Sequence, residues 1–362
     1  KNSSSIVEII KDAKRGKMFI LVDNKDRENE GDLVVPASKI NPKKINFMAK
    51  HGRGLICLAL SSNKVKKLNL PLMSLINKSR TQTAFTVSIE SKKGISTGIS
   101  AHDRSKTIKV AIKPSSSKKD IVSPGHVFPL VAKNGGVLER AGHTEASVDI
   151  SKLAKLNPSA VICEVMNEDG TMARYNDLIP FAKKHKLKIA KIEDLISYRL
   201  KHERLIRCIS RKKIQISKFG SFDLKTFKNK LDGSDHYAIT KGKISAERPS
   251  RVRVISTNIL NNIFNLNNDV FKNSLNYLNK FNNFALIIIK GSNHTSTVEE
   301  NNKILRYYGV GAQIIKELKI KKMILVSRSK KRIIALKGYG IKISKQEIIK
   351  WNQKFALLCL LI

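Results

Sequence analysis

Phe19-Ile-Leu-Val-Asp-Asn-Lys-Asp-Arg-Glu-Asn-Glu-Gly-Asp-Leu-Val-Val35 sets five carboxylates, Asp23, Asp26, Glu28, Glu30 and Asp32, between two apolar runs of a basic chain. Short apolar runs on either side of a polar loop read as two buried strands. Their loop then gathers its acids at one end of a sheet. Two readings stay open for these acids. One is a solvated turn, as most charge runs are. The other is an oxygen-rich site for a hard divalent ion or a polar substrate.

Outward from that loop the pattern alternates. Ile6, Ile9, Ile10 and Ala13 have helical spacing behind serine caps, and Gly16 closes the helix. Later segments predict a helix over 42–50, strands over 55–60, 84–89 and 160–165, a helix over 177–185, a strand over 188–191 and a helix over 192–202. Such elements with Gly-rich connections predict an α+β or α/β domain, a mixed sheet with surrounding helices, ending at Glu203. Residues 204–362 predict a second, smaller α/β domain, with strands over 251–255, 284–289 and 323–326 and a helix over 301–318. Within 261–283 ten of 23 residues are Asn. The spacing of Phe264, Val270, Phe271, Leu275, Leu278 and Phe281 still predicts an amphipathic helix there.

The chain length of 362 residues suits two domains at roughly 150 residues each, and 41% hydrophobic residues suffice for two cores. Apolar runs such as 55–60 and 286–289 fall short of the roughly 18 residues that span a bilayer. Lys1 opens without a basic-then-apolar leader, and Cys57, Cys163, Cys208 and Cys359 show no paired spacing. The expectation is a cytoplasmic chain with reduced thiols, no membrane segment and no cysteine zinc site. The net charge of +40 invites a nucleic-acid partner, but residues 1–203 carry +17 and the remainder +23, so no basic arm stands out. Fifty-two of the 69 cations are Lys and aromatics make up 6%, a composition read as AT-rich codon drift and not as a stacking surface. Nucleic acid is not expected as a partner.

Three further segments carry polar chemistry. Arg140-Ala-Gly-His-Thr-Glu145 precedes a helical pattern, so amides after Gly142 would face an anion beside the Arg140 fork, unless the segment is simple capping. Ser123-Pro-Gly-His-Val-Phe-Pro129 sets His126 in a Pro/Gly loop, where a structural histidine is the default reading. Glu164 interrupts an apolar strand, either as a core outlier or as a strand-end acid or base.

Together these segments resemble the 3,4-dihydroxy-2-butanone 4-phosphate synthase family. The resemblance runs from Ile6 to Glu203 through Asp26-Arg-Glu-Asn-Glu-Gly-Asp32, His51-Gly-Arg-Gly-Leu-Ile-Cys57 and Thr97-Gly-Ile-Ser-Ala-His-Asp-Arg104. It continues through Pro124-Gly-His-Val-Phe-Pro-Leu130, Arg140-Ala-Gly-His-Thr-Glu145 and Asp169-Gly-Thr-Met-Ala-Arg174. It implies conversion of D-ribulose 5-phosphate to formate and a four-carbon phosphosugar in riboflavin biosynthesis, with Mg²⁺ or alternatively Mn²⁺, in a homodimer with active sites near the subunit interface. By the same resemblance Glu28 and His143 are metal ligands, although imidazole is an unusual ligand for Mg²⁺. Substrate would be held by Arg27, Glu28, Asp32, Glu164 and the segment Arg140, Ala141, Gly142, His143 and Thr144. His126 and Glu164 would be the catalytic pair, with Cys57, Asp103 and Arg104 as secondary site residues.

Past Glu203, Phe219-Gly-Ser-Phe222, His236-Tyr-Ala-Ile-Thr-Lys-Gly242, Arg251-Val-Arg-Val254, Arg306-Tyr-Tyr-Gly-Val-Gly-Ala-Gln-Ile-Ile315 and Gly338-Tyr-Gly340 resemble GTP cyclohydrolase II. That family's zinc cysteines have no counterpart: residues 209–358 contain no Cys. Lys290-Gly-Ser-Asn-His-Thr-Ser296 stands where its catalytic loop would be. His236 and His294 are the histidines of that region and read as surface residues. The expectation is a retained fold without zinc and without GTP hydrolysis. The alternatives are a bifunctional enzyme that still opens GTP and a second domain acting only in dimerisation or regulation.

Overall fold

Ser5 starts the first helix, α1 (Ile6–Lys14), by reciprocal capping: its hydroxyl accepts from the Glu8 N–H at 3.3 Å and the Glu8 carboxylate accepts from the Ser5 N–H at 2.9 Å. The computed structural model describes residues 3–25, 27–74, 76, 77, 81, 83–244, 247–257, 268–290, 300–329 and 340–349. Asp26, Phe264, His294, Tyr339 and Cys359 therefore lie outside the described residues. The chain forms two units, Lys1–Arg199 and Leu200–Ile362.

The first unit is built on seven strands: β1 (Phe19–Val22), β2 (Gly31–Pro36), β3 (Cys57–Ser61), β4 (Ile89–Ser91), β5 (Ile121–Ala132), β6 (Ser159–Glu164) and β7 (Lys188–Lys191). Their order is β4-β5-β3-β6-β2-β1-β7. The pairs β3·β5 and β1·β7 are parallel and the others antiparallel, so the sheet is mixed. Every residue of β1 and β2 is buried, as expected of strands covered on both faces. Leu58 and Leu60 face one core with Ile45 and Ile108, from α2 (Pro42–Phe47) and α4 (Ala101–Ile112). Ala59, between them, faces Val148 of α5 (His143–Leu153) on the other side. The remaining helices are α3 (Ser62–Leu68), α6 (Tyr175–Lys184) and α7 (Ile192–His202).

Several expectations change. The helix expected over 42–50 stops at Phe47 and widens into a turn, Met48–Gly52, which ends at Arg53 with φ +68°. Of the strand expected over 84–89, only Ile89 lies in a strand; Phe85 and Thr86 make isolated bridges to Leu130 and Leu72. The Pro/Gly segment around His126 is not a loop but part of β5, with Ser123–Pro124 cis. Pro129 has no N–H to give to the ladder, but its carbonyl accepts from the Thr86 N–H at 3.0 Å. Helices α3 and α4 have no counterpart in the reading from sequence.

The second unit repeats the design with β8 (Ile206–Ile216), β9 (Gly220–Asn229), β10 (Asp235–Lys241), β11 (Ser250–Thr257), β12 (Phe284–Lys290), β13 (Lys322–Ser327) and β14 (Lys342–Ile348), ordered β14-β13-β11-β12-β10-β9-β8. Strands β8, β9, β10 and β12 pair antiparallel; β12, β11, β13 and β14 pair parallel. Alternate residues of β12 serve opposite faces. Phe284 and Leu286 pack with Leu275 and Leu278 of α8 (Asn268–Leu278), whereas Ala285, Ile287 and Ile289 pack with Val310 and Ile314 of α9 (Glu300–Glu317). The Asn-rich stretch thus folds where its apolar spacing survives.

The division between units falls four residues before the expected Glu203, inside α7. The last turn of that helix is tied into the second unit: Gln313 Nε2 donates to the carbonyls of Leu200 and Glu203, each at 2.8 Å. Among the described residues no helix is long and apolar enough to cross a membrane.

Candidate active site

Asp23 follows β1 directly and organises the acidic loop from within. Its Oδ1 accepts from the Glu30 N–H at 2.9 Å, and its Oδ2 accepts from the Glu28 N–H at 3.1 Å and from Arg27 Nη1 at 2.8 Å. Arg27 also pairs with the Glu28 carboxylate. Asn29 takes a left-handed φ of +56°, and Arg174 Nη1 donates to the carbonyls of Glu28 and Asn29 at 2.7 and 3.0 Å. The loop is therefore held on both sides, with the Glu28 carboxylate turned toward α5.

His143 is the first residue of α5, behind Gly142 as N-cap. Its side chain is 7% exposed, with Nδ1 3.7 Å from Glu28 Oε2 and Nε2 3.7 Å from Asp32 Oδ1. Ligand atoms of Asp23, Glu28 and His143 lie within 4.8 Å of one another. His143 Nε2 is buried without a hydrogen-bond partner, an orphan that a bound cation would satisfy. The electrostatics agree. Burial opposes charge on His143, yet Asp32 and Glu28 raise its pKa to about 9. Burial likewise works against the Glu28 carboxylate, but His143 and Arg27 bring its pKa down to about 2. Asp32 moves the other way, upward, because burial and the nearby Glu164 and Glu28 outweigh His143. Two carboxylates, Asp23 and Glu28, thus converge with the His143 imidazole, and this oxygen and nitrogen donor set fits a divalent ion.

Register brings the other residues to the same sheet end. Asp32 on β2 faces Glu164 on β6, and Cys57 on β3 faces Ile162 on one side and Phe128 on the other. Glu164, two residues past Ile162, and His126, two residues before Phe128, therefore project past the same rung. Glu164 Oε2 accepts from the Leu55 N–H at 2.9 Å. The glycines of residues 51–54 explain themselves here: a Cβ on Gly54 would sit 2.6 Å from the Glu164 carbonyl oxygen and 2.6 Å from its Oε2.

Other expected site residues have different surroundings. The Arg140 fork turns to Glu145 Oε2 at 2.7 Å and to the Thr81 carbonyl and Thr83 Oγ1 at 2.9 and 3.0 Å. Ala141 and Thr144 are buried beside it, and the Gly142 cap offers no side-chain acceptor to the first-turn amides. Cys57 is 2% exposed, and burial, then Glu164 and Asp32, push its thiol up, so it stays protonated and is no nucleophile. Asp103 accepts from Ser96 Oγ at 2.8 Å and from the Gly98 N–H at 3.1 Å, holding a loop. Arg104 keeps its Nε buried without a partner. His126 pairs through Nδ1 with Glu90. Glu90 was not selected from sequence, and Asp23 entered only as one of the five loop carboxylates, without being singled out as a ligand. Its place as the first polar residue after a buried strand could have singled it out. Glu90 carries no local signal. In the second unit, His236 is not a surface residue: it lies in β10 at 2% exposure, and its Nδ1 accepts from the Lys290 N–H at 3.2 Å.

Residues 7–198 match the family model of 3,4-dihydroxy-2-butanone 4-phosphate synthase, and residues 207–292 and 272–348 that of GTP cyclohydrolase II. A 3,4-dihydroxy-2-butanone 4-phosphate synthase of Photobacterium phosphoreum is 42% identical over 94% of this chain and 98% of its own length. The crystal structure of RibBX, a two-domain 3,4-dihydroxy-2-butanone 4-phosphate synthase from A. baumannii, superposes with a TM-score of 0.81 at 40% identity, covering 96% of this chain and all of that one. A single-domain match, a 3,4-dihydroxy-2-butanone 4-phosphate synthase in complex with two magnesium ions, has a TM-score of 0.53 at 36% identity over 55% of this chain and 98% of its own.

Proposed function

The chain belongs to the 3,4-dihydroxy-2-butanone 4-phosphate synthase family, and from that premise we propose how its own residues carry out the reaction. The enzyme converts D-ribulose 5-phosphate to 3,4-dihydroxy-2-butanone 4-phosphate and formate in riboflavin biosynthesis, and depends on Mg²⁺. The observation that supports the site assignment is the gathering of Asp23, Glu28 and Asp32 around His143, whose Nε2 is buried and unpartnered, with Glu164 opposite Asp32 on the next strand.

Glu28 and His143 would hold the ion, with Asp23 as a third ligand; Mn²⁺ serves as an alternative because it accepts imidazole more readily. When bound, the ion polarises substrate oxygens and takes up negative charge as protons leave carbon. The first-turn amides after Gly142, with Arg140, Ala141 and Thr144, receive the phosphate. Arg27 and Asp32 orient the sugar hydroxyls. His126 and Glu164 move the protons that enolisation, dehydration and release of formate require. One oxygen of Glu164 is engaged by the Leu55 amide, which leaves the other to accept or deliver a proton at a fixed place. Cys57, Asp103 and Arg104 support the site as wall, loop anchor and buried cation.

The enzyme is a cytoplasmic homodimer in this reading, supported by the exposed apolar side chains of Leu72, Met73, Ile76 and Ile99, which are 48–72% accessible. The second unit, Leu200–Ile362, holds no zinc and opens no GTP, because thiolate ligands are missing from 209–358 and His236 is already committed. The deciding assay measures formate from ribulose 5-phosphate and Mg²⁺ with the full chain. Loss in EDTA and recovery with Mg²⁺ is expected, and full activity in chelator overturns the metal assignment. Formate and pyrophosphate from GTP, or one tightly bound zinc per chain, would overturn the reading of the second unit.

A further inference from the structure

His126 and Glu90 sit on neighbouring strands, 36 residues apart in the chain, with the Glu90 carboxylate against His126 Nδ1. We propose that Glu90 is the positioning residue of His126: it keeps the proton on Nδ1, so that Nε2 is the nitrogen presented to the reacting atoms. The proposal rests on the reading of His126 as a proton-transfer group.

The surroundings are shaped for this pair. Gly125 precedes His126, and a Cβ there would overlap the Ile89 carbonyl and Glu90 Cγ, so a larger residue would push β5 away from β4 where Glu90 begins. The β4·β5 register shifts between Ile89 and Glu90, which re-aims the Glu90 side chain. From the other side comes Gly98, at φ +88°; a Cβ on it would overlap Glu90 Oε1 and lie 2.8 Å from His126 Nδ1. Asp103 holds that glycine in place through its N–H, and Ser96 with it. Two glycines and an anchoring carboxylate thus close over the contact. Its two partners differ in exposure: the Glu90 side chain is 17% accessible and the His126 ring 43%. The carboxylate lies inward and the far edge of the imidazole outward. A histidine whose inner nitrogen is tied to a carboxylate has its tautomer and ring orientation set, as proton-transfer and metal-ligand histidines commonly do.

The test compares full-length Glu90→Gln, Glu90→Ala and His126→Asn with the parent. Turnover of ribulose 5-phosphate is expected to fall on the order of 10²-fold in Glu90→Ala and about tenfold in Glu90→Gln, with KM within about threefold in both. Long-range ¹H–¹⁵N correlation spectra of the imidazoles should show His126 as the Nδ1–H tautomer in the parent and as the Nε2–H tautomer in Glu90→Ala. If Glu90→Ala does not fold, the spectrum of the parent and the turnover of Glu90→Gln decide. An Nε2–H tautomer in the parent, or parental turnover in either Glu90 variant while His126→Asn is inactive, overturns the role of Glu90. Parental turnover in His126→Asn overturns instead the reading of His126, and the tautomer spectrum then reports on the contact alone.

Discussion

Two seven-stranded mixed sheets, each covered by helices on both faces, carry different chemistry at their ends. In the first unit the strand ends bear Asp23, Asp32 and Glu164, buried or half-buried, with Asp23 and Asp32 beside the His143 imidazole. In the second unit the parallel strands β11, β12 and β13 end at Thr257, Lys290 and Ser327. Among the described residues, the one cluster of acids and imidazole able to hold a metal is Asp23, Glu28 and His143. The contrast shows how differently a fold and a site are specified. A sheet needs alternating apolar residues, which many sequences supply. A site needs particular polar groups in particular places, which the alternation of a strand does not supply.

The contrast breaks most sharply at the ligands. Glu28→Gln and His143→Ala should each lower formate release by about 10³ or more and weaken Mn²⁺ binding, read by electron paramagnetic resonance, by at least tenfold. Parental Mn²⁺ affinity in both would dissolve the cluster as a metal site. Glu164→Gln comes next: turnover falls on the order of 10², with KM held within tenfold, because a proton-transfer group is lost and not a binding one. Leu286→Ala reverses the comparison. It should destabilise the second unit by about 2–5 kcal/mol in urea unfolding, while formate release below its unfolding transition stays at the parental rate. A proportional loss of activity would show that the synthase depends on the second core.

The smallest effect sharpens the electrostatic side. In the second unit Arg251 forks onto Glu347 at 3.0 and 3.1 Å and stacks 3.5 Å from the Phe281 ring centroid. Burial opposes the Glu347 charge, but hydrogen bonds from Arg251 and Tyr277 hold its pKa below the usual value. A carboxylate depressed by folding contributes stability above its unfolded pKa of about 4.3 and loses it as pH falls through the lower folded value. Glu347→Gln should therefore cost about 1 kcal/mol at pH 7 and progressively less below pH 4, by urea midpoints at each pH. An equal cost at both pH values would mean that packing and not charge holds the pair.

Legibility followed the range of the forces. Helix α1 could be read because its cap, its apolar face and its stop lie within a dozen residues. The acidic loop stood out for the same reason. Strand β5 was misread around His126 because Pro and Gly are turn signals locally, whereas here Gly125 serves a close approach to β4 that no local rule contains. The strand expected over 84–89 failed in the opposite sense: its apolar run was right, but Phe85 and Thr86 found only single bridging partners.

The sequence by itself determined two units, the positions of most strands and helices, the acid-rich loop and the absence of thiolates from residues 209–358, since periodicity, capping and composition are properties of neighbours in the chain. Tertiary structure alone decided that Asp23 joins Glu28 and His143, that Arg140 turns to Glu145, Thr81 and Thr83, and that His126 meets Glu90. Each of these is a contact set by strand register and helix packing. One residue of slip in β2 would turn Asp32 to the opposite face of the sheet, so the site exists only once the long-range pairing is complete.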